Sequence, residues 1–431
     1  MNFLQAGALL ATICSASAFI NQKTLKWPMV LAMTMMSIVL ALVIIVAGEL
    51  GWLPLDQVRQ LVSSFDLADL VLHNLLAFLL FAGAMFVDAS LLKQWAKPIA
   101  SLASVGVFLS AVVAGFLIWL VAPLIGFNLS ISWCLLFGSL IAATDPIAAL
   151  AIVKKAGAPK EMEIKLVGES LFNDATSVMM FLIMLGIVTT GEVSPSLLVQ
   201  EIFVAPVGGA ALGIGLGWLT TKAITQVNHH PTEIMMTLAL ASGVYGLAEA
   251  IHVSAPIAVV FAGLIIGHKA RRDAMSEETR EHVDAFWEGL DEILNAVLFG
   301  LIGLELILID VSPLVILLGV VAWVAVLLGR WVGVFGSLIP LHRAGGLGKG
   351  TTRVMVWGGL RGGISLALAM SLPQGPEANV LVAVTFIVVA LSAAVQGLTL
   401  GRVIPKQAQA DALDPNTQPE TEGSSPSGRV D

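Results

Sequence analysis

Charge is scarce in this chain. Of its 431 residues only 12 % are Asp, Glu, Lys or Arg, whereas 57 % are hydrophobic. A soluble domain carries about a quarter charged residues, so a globule of this size with a water-facing surface is excluded. Cysteine is nearly absent. Cys14 and Cys134 lie far apart within apolar runs, which excludes a disulfide framework and a cysteine metal site and leaves two small buried side chains. No block of basic residues occurs and the net charge is −8, which excludes a nucleic-acid partner. The first twenty residues are apolar but lack a small-residue cleavage site. They are expected to remain as a helix, not to leave as a signal peptide.

Apolar runs of about 20 residues, enough to cross a hydrocarbon core, recur along the chain. Thirteen candidate spans fall roughly at 3–20, 29–49, 67–90, 98–126, 131–152, 160–190, 195–224, 231–250, 254–270, 285–308, 312–338, 350–372 and 377–401. The expected fold class is an all-α polytopic membrane protein, its transmembrane domain covering 1–402. With a cytoplasmic C-terminus, thirteen spans put the N-terminus outside. Nineteen of the 22 basic residues then lie inside, Arg59 alone lies outside, and Arg330 and Arg361 fall within spans. Lys and Arg favour cytoplasmic loops, so the asymmetry supports both orientation and count. Residues 403–431 hold Pro, Ser and acids with few apolar residues and read as a disordered cytoplasmic tail.

Spans 4–6 and 11–13 are seven apart and so run in opposite directions. Each triplet has an interrupted middle span, Ala143-Thr144-Asp145-Pro146 in one and Gly358-Gly359-Leu360-Arg361-Gly362-Gly363 in the other. Matched interruptions in two inverted halves mark a binding site near the bilayer midplane.

Ionisable residues at membrane depth are costly and point to function. Here they are Asp145, Glu169, Asp174, Glu249, Glu305, Arg330 and Arg361. Asp174 lies mid-way along span 6, and Ser170, four residues earlier, shares its helical face. A carboxylate with a hydroxyl suits a hard monovalent cation. A carboxylate deprived of water also favours its protonated form, so cation and proton compete for one charge. The alternative is a carboxylate neutralised by an arginine to hold helices together. At Asp145, Pro146 removes a backbone donor and breaks the helix, so Asp145 is read as orienting the site and capping freed amides as much as binding. Thr144 offers a carbonyl or hydroxyl. Glu169 and Asn173 share an adjacent face. Arg330 and Arg361 need anions or carbonyls; Glu169 with Arg330 is the preferred pair, Glu169 with Arg361 the second, and Arg361 can instead serve the crossing of the two broken spans. Glu249 and Glu305 are expected at helix ends or facing water. Asp88, Glu288, Asp291, Glu292 and Asp310 are expected to reach headgroups or water. No two of the seven histidines show metal-ligand spacing.

Gly168-Glu169-Ser170-Leu171-Phe172-Asn173-Asp174-Ala175, Ala143–Pro146, Gly358 through Ser365, and Phe286-Trp287-Glu288 through Leu304-Glu305-Leu306 resemble the cation:proton antiporter superfamily in its NhaP/NHE branch, over roughly residues 5–400. The resemblance implies an inverted-repeat antiporter fold with two discontinuous crossing helices. It implies a homodimer with scaffold helices at about 3–90 and 195–308 and a mobile core at about 98–190 and 312–401. It implies electroneutral, elevator-type exchange of Na+ (or Li+) for H+ across the cell membrane, with the ion held by Asp174, Ser170 and Thr144 and no cofactor. Asn173-Asp174 stands where an electrogenic branch has two aspartates, and Arg330 where that branch has a lysine. One departure stands out: relatives carry a glutamate in span 3 where this chain has Ala82, within Phe81-Ala82-Gly83-Ala84. Potassium or broad monovalent cation/proton exchange is the nearest alternative, because selectivity rests on cavity size and ligand number. An intramembrane aspartyl protease using Asp145 and Asp174 lacks the expected Gly-x-Gly-Asp run, and a channel needs several weak sites in file where one is visible.

Overall fold

The computed structural model describes residues 3–63, 70–309, 312–339 and 349–404. The tail expected beyond 403 lies outside the described residues from 405 onward, as do Asp310 and Arg343. Among the described residues the regular structure is helical. Sixteen α-helices among them have eight residues or more: α1 Phe3–Ile20, α2 Met29–Glu49, α3 Leu55–Val62, α4 Leu76–Met85, α5 Val107–Ile125, α6 Ile131–Leu140, α7 Pro146–Lys155, α8 Lys160–Thr190, α9 Ala205–Ile224, α10 His230–Ala250, α11 Ala255–Ile265, α12 Glu277–Glu305, α13 Pro313–Leu338, α14 Lys349–Trp357, α15 Gly363–Met370 and α16 Pro376–Leu391.

Six helical stretches among the described residues are long and apolar enough to cross a membrane: Met29–Glu49, Ala96–Ile125, Lys160–Thr190, Pro195–Ile224, Pro313–Leu338 and Pro376–Val403. The other expected spans are shorter or carry charge. The expected span at 285–308 is helix α12, which starts at Glu277 with a charged first third. The expected spans at 131–152 and 350–372 are each split in two, into α6 with α7 and α14 with α15. Serines start many of these helices by accepting a backbone N–H near the first turn. Ser130, Ser254, Ser276 and Ser312 do so for α6, α11, α12 and α13.

Helix α5 lies along α13 and against α6, and with α16 they enclose one apolar core that includes Ile118, Phe137, Leu318 and Leu381. A second core joins α4 to α9, α10 and α11 around Phe81, Tyr245, Val259 and Trp287. A third runs from α1 and α2 through α12 to α7, α14 and α16. The Tyr245 hydroxyl donates to the Leu72 carbonyl, fixing α10 to the segment before α4. Glu305, expected at a helix end or facing water, is the last residue of α12 and is buried there. Its environment comes from long-range packing that helix position does not reveal. Lys165, counted with the cytoplasmic loop charges, lies inside α8. It is buried with its ammonium 3.3 Å from the centre of the Trp95 ring and 3.4 Å from Glu161.

Candidate functional site

The two interrupted spans meet at their breaks. Helix α6 ends at Leu140 and α7 begins at Pro146; α14 ends at Trp357 and α15 begins at Gly363. The extended segments between them pair, with the Asp145 N–H donating to the Leu360 carbonyl at 2.7 Å. Close approach here demands glycine. A Cβ on Gly362 would lie 2.8 Å from the Asp145 Cβ, and one on Gly359 2.8 Å from Arg330 Nε.

One face of α8 holds the end of α6 and the unwound 141–145 segment. Ser177 donates to the Ser139 carbonyl at 2.6 Å and accepts the Ala143 N–H at 3.1 Å. Asn173 donates to Thr144 Oγ1 at 2.6 Å and to Glu169 Oε1 at 3.0 Å. Ser170 donates to the Thr144 carbonyl. From the other repeat, Arg361 Nη1 donates to the carbonyls of Ala142 at 2.7 Å and Ala143 at 3.0 Å. Breaking a helix frees carbonyls that must be satisfied internally in a membrane, and Arg361 supplies their donors. A π-helical turn at Ser392–Gly397 supports this from behind: Ser392 Oγ accepts the Arg361 N–H, and Gln396 bonds the Trp357 carbonyl and the Trp323 indole.

Arg330 grips Glu169 with two parallel bonds of 2.6 and 2.7 Å, and also donates to the Met355 carbonyl. The pair is buried, at 2 % and 0 % exposure. Arg330 so pinned cannot yield to a methyl on Gly359. Gly359→Ala is therefore expected to cost about 1–3 kcal/mol of stability, read as a lower thermal midpoint of the purified protein; an unshifted midpoint contradicts that close approach.

Asp145 accepts the Ile147 N–H at 2.9 Å and so caps α7. Asp174 differs from its charged neighbours: it is 6 % exposed and its Oδ1 has no partner among the described residues. It lines a cavity of about 490 Å³ shared with Thr144, Asp145, Pro146 and Ser170 that extends to Lys154 and Glu163. A second cavity, of about 1450 Å³, begins at Ala175 and Thr176 and is walled by Glu201, Tyr245 and Glu249; Asp174 lines the first cavity and not the second.

The structure thus brings Asp174, Ser170, Thr144, Asp145, Asn173 and Glu169 together around the crossing, with Arg330 and Arg361 behind it. Ala82 lines the same cavity, so no carboxylate enters from that position. Glu288 and Asp291, expected at headgroups or water, wall this cavity too; Asn295 bonds Asp291 Oδ1 at 3.1 Å. The spacing 288, 291, 295 along one face of α12 carried that signal. Ser177 was missed, although it continues the 170–174 face by one turn.

The family profile described as "Sodium/hydrogen exchanger, transmembrane" matches residues 8–406. This chain belongs to that family. The exchanger is 41 % identical over 403 residues to the Na(+)/H(+) antiporter NhaP of Pseudomonas aeruginosa, covering 92 % of this chain and 95 % of that one. It is 32 % identical over 410 residues to the Na(+)/H(+) antiporter NhaH of Halobacillus dabanensis, covering 94 % and 97 %. Among solved structures, the sodium proton antiporter MjNhaP1 from Methanocaldococcus jannaschii at pH 8 shares the fold, with a TM-score of 0.74 at 22 % identity over 95 % of this chain and 100 % of that one. The exchanger is accordingly a multi-pass, all-helical transporter.

Proposed function

We propose that the chain exchanges Na+, or Li+, for H+ across the cell membrane, with Asp174 as the group that carries either. The observation behind this reading is the unpartnered Asp174 oxygen in a cavity. Glu169, Arg330 and Arg361 are bonded to one another or to carbonyls. A buried carboxylate is tolerable only when neutralised, and here either a proton or a small cation can do that, never both. Ser170 and Thr144 add oxygen ligands for the ion, and Asp145 orients the segment that presents Thr144. Asn173, Pro146 and the Glu169–Arg330 pair hold that segment in place, with Arg361 on its carbonyls.

Exchange requires that the loaded site changes sides while the empty, charged one does not. In support, Asp174 lines the first of the two cavities, between two repeats and the α12 wall, and not the second. We read 98–190 and 312–401 as the core that moves, elevator-like, and 3–90 with 195–308 as the scaffold of a homodimer. On this reading thirteen spans cross the membrane, the N-terminus lies outside, and the C-terminus is cytoplasmic. Glu169 and Arg330 offset each other, which leaves Asp174 to carry the exchanged charge, so one ion exchanges for one proton without net charge movement.

Proton flux in proteoliposomes on separate addition of Na+, Li+ and K+ tests the proposal. Na+ or Li+ should drive it and an imposed membrane potential should leave the rate unchanged. Absence of Na+- and Li+-driven flux overturns the function, and clear voltage dependence overturns the one-for-one stoichiometry.

A further inference from the structure

Among the described residues, every buried serine or threonine hydroxyl finds a partner except one, that of Ser365. Helical hydroxyls ordinarily bond the carbonyl a turn back. Thr34, Ser110 and Thr385 do so, to Val30, Gly106 and Leu381 at 2.7–2.8 Å. Ser365 is 1 % exposed, sits in the first turn of α15, and leaves Oγ unbonded. It also lines the Asp174 cavity.

Partnerless buried polar atoms are uncommon in folded proteins. The others here, on Trp95, Glu233, Arg271, Asp284 and Arg361, lie on residues that do not line this cavity. Asp174 Oδ1 and Ser365 Oγ do. One is an acceptor only, and the other has lone pairs to offer. A small hard cation satisfies both together, since it takes oxygen ligands from carboxylate and hydroxyl alike. The start of α15 carries partial positive charge, which disfavours a bare cation nearby unless a ligand offsets it, and the Ser365 lone pairs do so.

We infer that Ser365 is a ligand of the transported cation, contributed by the second interrupted span, and that it tunes cation affinity without taking part in proton binding. Its hydroxyl does not titrate near neutral pH, so its loss acts on the cation and leaves the proton's hold on the carboxylate alone. The ion is then held from both repeats, by Ser170, Asp174 and Thr144 on one side and by Ser365 on the other. The inference rests on Asp174 as the carrier, which Asp174→Asn tests separately.

The experiment compares Na+ and Tl+ exchange for Ser365→Ala and Ser365→Cys in proteoliposomes. Ser365→Ala should raise the KM for Na+ about tenfold, the effect of one neutral ligand, with a smaller change in maximal rate and no change in proton half-saturation. Ser365→Cys fills the same space with a sulfur that binds hard Na+ poorly and soft Tl+ well. It should raise the KM for Na+ and not that for Tl+. A wild-type Na+ KM in either variant overturns the inference. So does an equal loss for Na+ and Tl+ in Ser365→Cys, the result that a packing role gives. If Ser365→Ala does not fold, the Cys variant decides.

Discussion

Asp174→Asn is expected to reduce Na+-driven proton movement by at least about a hundredfold while leaving a folded protein. An amide can neither be neutralised by a proton nor offer Na+ a full charge, and loss of a charged ligand costs about 3 kcal/mol. Folding survives for the same reason that transport fails. Asp174 Oδ1 has no partner among the described residues to strand, and exchanging a buried carboxyl for an amide of similar shape removes a charge from a low-dielectric place. Everted vesicles read the transport and a thermal melt reads the fold. Retained exchange removes Asp174 from the site; a collapsed melt would show that its carboxyl has a structural bond that the geometry does not contain.

Arg330→Ala or Glu169→Ala should do the reverse, harming the fold first. Each leaves its partner charged and buried without its counter-ion, at a cost of about 3–5 kcal/mol. That is a large share of the stability of an ordinary domain, so both should appear as lost yield and a much lower thermal midpoint. The Glu169 variant should also disturb transport through a short chain of contacts. Asn173 would lose the acceptor that aims it, and Asn173 is what holds the Thr144 hydroxyl. Removing both charges, as Glu169→Gln with Arg330→Met, should cost less than the two single changes summed, because no charge is stranded. A normally melting, fully active Arg330→Ala protein contradicts this account of the pair.

Much of this architecture was legible because a membrane simplifies sequence. Long uncharged runs mark helices, and scarce charges within them mark sites. The break at Asp145-Pro146 follows from the missing proline donor, and the one at Gly358–Gly363 from residues without side chains to fill a helix. The Ser170–Asp174 face follows from helical spacing alone. What stayed hidden depends on contacts distant in sequence. Nothing local says that Arg361 reaches back to the Ala142 and Ala143 carbonyls, which lie more than two hundred residues away. Nor does anything local put a π-helical turn at Ser392–Gly397, or bury Glu305. Lys165 near a helix start reads as a solvated charge until Trp95 folds over it. Ser365 was visible within its glycine-rich motif, but its free hydroxyl is a fact about all its neighbours at once.

The central claim is that one carboxylate holds either of two cations. It is tested most directly by counting protons released for each Na+ bound, by calorimetry in buffers of different ionisation enthalpy. Below the pH at which Asp174 gives up its proton, the count should be close to one, and in Asp174→Asn both the release and the Na+ binding heat should disappear. Na+ that binds without displacing a proton, or release that persists in the variant, would contradict the account.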